Sequence, residues 1–341
     1  MRRLLKAPLF EGTTISSIKT WLLTWKTLPV WSWIRAAELY RQGRFPEAAT
    51  MYKKGLERYP QHPARHCATI DLARCLFADG KIQEAEQYLR QLVAQIPSSR
   101  TAHKALFLFQ LRIGHTLDAA WTMRRALRSI VPEPELIGLY LYCVVENGGP
   151  EFLLKEAERL VKSAKKAGRE TPLMRAAEQK RDLLMKGYSP HVLKKLEEIA
   201  NEHPEDVEIG ILAAGSLREA GKVASARRVL RRALHKDPTH PRVLSLFSET
   251  YLLSGSFYNP EFALQLATEA CKRTNWRSPR EMHILAEVFF HCGDPLTALA
   301  TAERAKEEGS RLLGTYRDTA ALDRLIEELN ESLSKDTPVA A

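Results

Sequence analysis

Residues 80–97 read GKIQEAEQYLRQLVAQIP: a glycine, an alanine five residues later and a proline seventeen residues later. Between them Ala85, Leu89, Leu92 and Val93 recur at i, i+4, i+7 and i+8, the apolar stripe of an amphipathic helix. Upstream, Leu72, Ala73, Leu76 and Phe77 make a second stripe. Gly80 stands between the two, where a helix ends most easily in the left-handed region that glycine adopts without steric cost. Pro97 stops the second helix, because its ring and missing N–H cannot extend one. The stretch therefore predicts helix, tight turn, helix, stop.

The same frame returns as Gly43, Ala48, Pro60 and as Gly221, Ala226, Pro238. Gly80 to Gly114, Gly187 to Gly221 and Gly221 to Gly255 are each 34 residues. Gly43 to Gly80 is 37 and Gly255 to Gly293 is 38, which longer turns such as SFYNPEF accommodate. Small residues hold fixed places: Ala36, Ala73, Ala214, Ser248 and Ala286 in first helices, and Ala48, Ala85, Ala119, Ala226, Ala263 and Ala298 early in second helices. Bulk there would overpack a close helix–helix contact at a cost of about 1–3 kcal/mol.

An antiparallel helix pair repeated every 34 residues resembles the tetratricopeptide repeat family. The resemblance is carried by AAELYRQGRFPEAATMYKKGLERYP, DLARCLFADGKIQEAEQYLRQLVAQIP, AAGSLREAGKVASARRVLRRALHKDP and LAEVFFHCGDPLTALATAERA, and spans residues 35–308. It implies an all-α fold, a right-handed superhelical solenoid of antiparallel helix pairs with a C-terminal capping helix. The expected organisation is a basic, Trp-rich amphipathic segment over 1–30, the solenoid over 31–314, the capping helix over 315–334 and a tail over 335–341. Units within about 134–206 diverge: either Gly148 or Gly149 is the turn, Leu141 or Tyr142 takes a small-residue place, and so do Lys180 and Val192. A helix pair cannot bury its own stripe, so stacked neighbours must do so.

Lys and Arg number 51 against 41 Asp and Glu, a surplus that favours anionic partners. The five cysteines form no C-x-x-C pair and read as scattered thiols in a reducing compartment. No P-loop, Rossmann glycine run, G-x-S-x-G or H-E-x-x-H occurs; His62, His66 and Cys67 have one helical turn's spacing, and adjacent His291 and Cys292 have no partner at recognisable spacing for zinc. We therefore expect no catalytic residue, metal or cofactor. His62 reads as solvated in a turn.

Helical phase places Arg74, Lys104, Arg112, Arg218, Arg242, Glu249, Arg280, His283 and Glu287 on the concave wall. In the family resembled, that groove holds a partner segment, here an acidic or mixed-charge stretch of another protein. The chain is then a non-catalytic scaffold or adaptor. The carboxylate clamp of chaperone-binding members is absent, since its places hold Trp33, Ala37 and Asp71. Arg227, Arg228, Arg231 and Arg232 line a second helix and read as a solvated convex face. The strongly basic block 162–195 reads as solvated charge or a docking surface, and RNA binding as a minor alternative because stacking aromatics are not interleaved with it.

In the N-terminal segment Lys19, Trp21, Leu22, Trp25 and Lys26 would form a membrane-surface face. Lys19, Lys26 and Pro29 interrupt it too often for a spanning helix. Capping of the first repeat, membrane attachment and organellar targeting all fit the segment. The expected location is cytoplasmic, with a peripheral membrane position as the alternative. Deleting residues 1–30 separates the first two roles: release from a membrane pellet marks an anchor, and aggregation marks a cap.

Overall fold

The computed structural model describes residues 31–127, 133–147, 151–310, 316 and 318–336. The N-terminal segment with Lys19, Trp21, Leu22, Trp25 and Lys26, both Gly148 and Gly149, and the tail from 337 lie outside the described residues. Among the described residues every element is helical: α1 Trp31–Arg41, α2 Phe45–Arg58, α3 Arg65–Ala78, α4 Ile82–Gln95, α5 Arg100–Arg112, α6 Thr116–Ala126, α7 Pro134–Asn147, α8 Glu151–Lys166, α9 Pro172–Lys186, α10 Pro190–Glu202, α11 Val207–Glu219, α12 Val223–Lys236, α13 Pro241–Leu252, α14 Pro260–Arg273, α15 Pro279–His291, α16 Pro295–Ser310 and α17 Thr319–Asp336. None of them is long and apolar enough to cross a membrane. Two compact units hold them, one made of Met1–Gln110 with Trp121–Val131, the other of Leu111–Ala120 with Pro132–Ala341.

The turn within a pair forms as the glycine frame predicts. Gly80 takes φ 80°, and Lys81 N–H donates to the Leu76 carbonyl at 2.8 Å. Gly221 repeats this with φ 73° and Lys222 N–H to Leu217 O at 2.8 Å. The chain thereby reverses within three residues while the last carbonyls of the first helix stay bonded.

Packing explains the small residues. Ala36, Ala214, Ser248 and Ala286 in first helices, and Ala48, Ala85, Ala119, Ala226, Ala263 and Ala298 in second helices, are fully buried, with Ala73 almost so. At Ser248 the approach is close enough for its hydroxyl to donate across the pair to Ala263 O at 3.0 Å. First helices touch neighbours on several sides, α11 packing on α9, α10, α12 and α13. Accordingly every residue from Ile209 to Leu217 is buried, whereas α12 buries one stripe: Ala226, Arg227, Val229, Leu230 and Ala233. The terminal α17 begins at Thr319, inside the expected 315–334, and lays Leu322, Leu325 and Leu329 on the last pair, with Ile326 half-buried beside them.

The divergent units keep the stacking by substitution. Lys180, on a small-residue place in α9, is buried to its ammonium, which meets Glu219 of α11 at 2.8 Å. Tyr142, Leu141 and Cys143 are buried in α7.

Two expectations of solvent exposure are overturned, at Arg227 and at His62. Arg227 is not a solvated convex residue: it is 2% exposed. Its guanidinium donates to Thr250 Oγ1 at 3.1 Å and Thr250 O at 2.7 Å, and lies 4.2 Å and 4.3 Å from the ring centres of Tyr251 and Phe257. The long turn after α13 carries Phe257 over the helix, which i, i+4 spacing alone does not reveal. Arg228 and Arg231 are exposed as expected, and Arg232 donates to Asn201 at 2.8 Å. His62 is likewise not simply solvated, because its ring packs edge-on against buried Trp33 and its Nδ1 accepts from Ala64 N–H at 3.1 Å.

Two stability changes follow. Ala226→Leu should lower the urea midpoint by an equivalent of about 1–3 kcal/mol with helix content retained by circular dichroism. Arg227→Ala should cost about 1.5–3 kcal/mol by loss of charge-assisted bonds, whereas Arg228→Ala should stay within about 0.5 kcal/mol of the parent.

Candidate functional site

The first helices of the second unit bring charged residues together by simple helical phase. Arg242 and Glu249 are seven apart on α13, and Arg280, His283 and Glu287 sit at i, i+3 and i+7 on α15, so each set shares one face. Together with Arg218 of α11 they line one cavity of ≈ 230 Å³. Glu146 of α7, Lys180 of α9, Glu219 of α11, and Tyr316, Asp318 and Ala321 also line it.

Its charges are bonded to one another. Arg218 Nη1 meets Glu249 Oε1 at 2.8 Å. Glu146 Oε2 accepts from Arg242 Nε at 3.3 Å and from Arg280 Nη1 at 3.0 Å, and Arg280 Nη2 also donates to the Glu146 carbonyl. That carbonyl belongs to the last turn of α7, where a cation also satisfies the negative end of the helix dipole. His283 Nδ1 pairs with the Tyr316 hydroxyl at 3.0 Å, and its Nε2 lies 3.5 Å from Glu287 Oε1.

Five carboxyl groups (Glu146, Glu219, Glu249, Glu287, Asp318) face four fixed cations (Lys180, Arg218, Arg242, Arg280) among the described residues. The excess is felt at Glu287. Burial, then the charge of Glu249 and, more weakly, that of Asp318 push its carboxyl up to about 7, against the opposing pull of Arg218. Burial also holds the His283 imidazole below its ordinary value, which keeps it neutral at pH 7.

Six of the nine residues read as concave from the sequence thus meet in one cavity. The other three do not join it. Arg112 is buried in a two-pronged pair with Asp237, donating also to Thr239 Oγ1 at 2.6 Å, and acts as a structural clamp. Arg74 is buried against Asp71 at 2.8 Å, and Lys104 is half-buried, both in the first unit. Asp71, at one place of the absent carboxylate clamp, is an acid pushed up to about 6 by burial against the pull of Arg74. Glu146, Lys180 and Glu219 escaped the sequence reading. The available signal for Glu146 was an acid at the end of the otherwise apolar run LIGLYLYCVV.

Residues 39–106 match the family model described as tetratricopeptide repeat. A comparison with curated proteins finds no match in sequence. Among solved structures, a monomeric mutant of IFIT1 with m7Gppp-AAAA shares the fold at TM-score 0.52 and 14% identity, over 88% of this chain and 72% of that one. A tetratricopeptide repeat protein from Parabacteroides merdae aligns over 88% of this chain and 97% of its own, at 10% identity and TM-score 0.38. The TPR2AB domain of yeast Sti1, in its pHSP90 complex, aligns over the same shares at 14% identity and TM-score 0.30. Residues 39–106 thus carry the tetratricopeptide repeat, and the helix pair recurs beyond them with its small-residue places.

Proposed function

We propose that the protein is a non-catalytic interaction scaffold that seats a segment of another protein on the concave face formed by α11, α13 and α15. The observation that carries this reading is the convergence of Arg218, Arg242, Glu249, Arg280, His283 and Glu287 on one cavity. Because every arginine there already meets a carboxylate, a segment of mixed charge fits better than a uniformly acidic one. A mixed segment can exchange pairs with the lining, whereas an acidic one must displace Glu146 or Glu249 and leave that charge behind. The IFIT1 neighbour was solved with a capped oligonucleotide, but the carboxylates of this cavity repel a phosphate chain, so nucleic acid is not proposed.

Photo-cross-linking tests the seat. A benzophenone side chain placed at Glu219 or Ala321, which line the cavity, should capture a defined partner segment from the native source, identified by mass spectrometry. The same group at exposed Arg228 or Arg231 should not. Adducts confined to the Arg228 and Arg231 positions would move the site to the outer helices.

The charge imbalance also sets a pH dependence. With Glu287 raised in the folded state, the folded chain binds more protons than the unfolded one between about pH 4.5 and pH 7. This contribution to stability is greatest below that window and declines as pH rises through it. Glu287→Gln should therefore melt in urea like the parent at pH 4 and at a higher midpoint at pH 8.

A further inference from the structure

The cavity holds acceptor capacity that the chain itself does not use. Glu249 is a side chain only 10% exposed, and while its Oε1 takes Arg218, its buried Oε2 makes no hydrogen bond. Arg242 Nη1 approaches that oxygen no closer than 4.0 Å. His283, 5% exposed, lines the same space; its Nε2 makes no hydrogen bond, and the tautomer set by the Tyr316 hydroxyl decides whether it donates or accepts. Glu287 stands half-exposed beside it. The fixed cations are already paired: Lys180 with Glu219, Arg218 with Glu249 through Oε1, Arg280 with Glu146, and Arg242 with Glu146 and, at 4.0 Å, with Glu249.

From this arrangement we infer that the cavity receives one positively charged side chain, an arginine of a partner segment, which passes Glu287 at the mouth and donates to Glu249 Oε2. The inference rests on the reading that this face seats a partner, and it names the chemistry of that partner. A guanidinium suits the place better than an ammonium, because its planar fork can serve two acceptors at once and it is less strongly hydrated. Its charge would also act against the burial and the neighbouring Glu249 charge that push the Glu287 carboxyl up to about 7. For a phosphate or carboxylate the lining offers the buried Nε of Arg218 and of Arg280, which make no hydrogen bond, but each of these guanidinium groups is already paired with a carboxylate.

Calorimetric titration of the full chain at pH 7.5 with the capped peptide Gly-Ser-Arg-Ser-Gly tests this. Two counterparts accompany it, one with citrulline, which keeps the shape and removes the charge, and one with glutamate. The arginine peptide should bind saturably and the citrulline peptide about tenfold or more weaker, with no binding of the glutamate peptide. Glu287→Gln and Glu249→Gln should each weaken the arginine peptide by a similar factor, and Arg228→Ala should not. Should Glu249→Gln fail to fold, the half-exposed Glu287→Gln still carries the test. Equal affinity for arginine and citrulline, preference for glutamate, or indifference to Glu287→Gln overturns the inference. Capture of a segment from positions 219 and 321 alongside any of those results removes only the arginine pocket. Absence of capture there removes the seat itself.

Discussion

Close approach of helix axes at small residues is the constraint on which everything else hangs. Ala48, Ala85, Ala226, Ala263 and Ala298 are without exposure because a neighbouring helix lies directly against them. That contact fixes the distance between the helices of a pair, and the left-handed glycine fixes the angle at which they meet. With both set, a first helix enclosed on several sides is apolar almost throughout, as α11 is. The few polar residues it can carry are confined to the one face no helix covers. The charged cavity is thus a by-product of tight stacking as much as a feature in its own right.

Confinement makes those charges interdependent. A buried arginine left alone would be costly, so the chain supplies Glu146 and Glu249 as counter-ions. What remains for an incoming group is the residue of that balance, a small negative excess at Glu249 and Glu287. Counting arginines along first helices therefore suggests an anion site, while their actual pairing favours a cation. Burial and partner together decide the character of the surface, not residue type.

How much of this could be read beforehand differs by level. The repeating Gly, Ala and Pro places are local, recur in near-constant phase, and carry the helix boundaries and pairing with them. Helical phase points to Arg218, Arg242, Glu249, Arg280, His283 and Glu287, and these six line one cavity. Phase says which face a residue occupies but not what meets it from a distant helix. Phase puts Arg112 on the groove side, yet it grips Asp237, 125 positions along the chain. Arg227 departs from expectation for a related reason: Thr250 and Tyr251 at the end of α13, and Phe257 in the long turn after it, enclose the guanidinium. Lys180 lay on a known small place, but a lysine there has no meaning until Glu219 is seen beside it.

The bond from Glu146 to Arg242 and Arg280 has a kinetic side. A repeat array whose modules contact only their neighbours can unzip from an end, one pair at a time. Glu146 joins partners 96 and 134 positions distant, and Arg112 does the same over 125. Such long-range closures raise contact order, delay the last step of folding and tie distant modules into one cooperative transition. The second unit should thus behave less like a zipper than like a buckled strap, resisting piecemeal fraying until the buckle itself gives way.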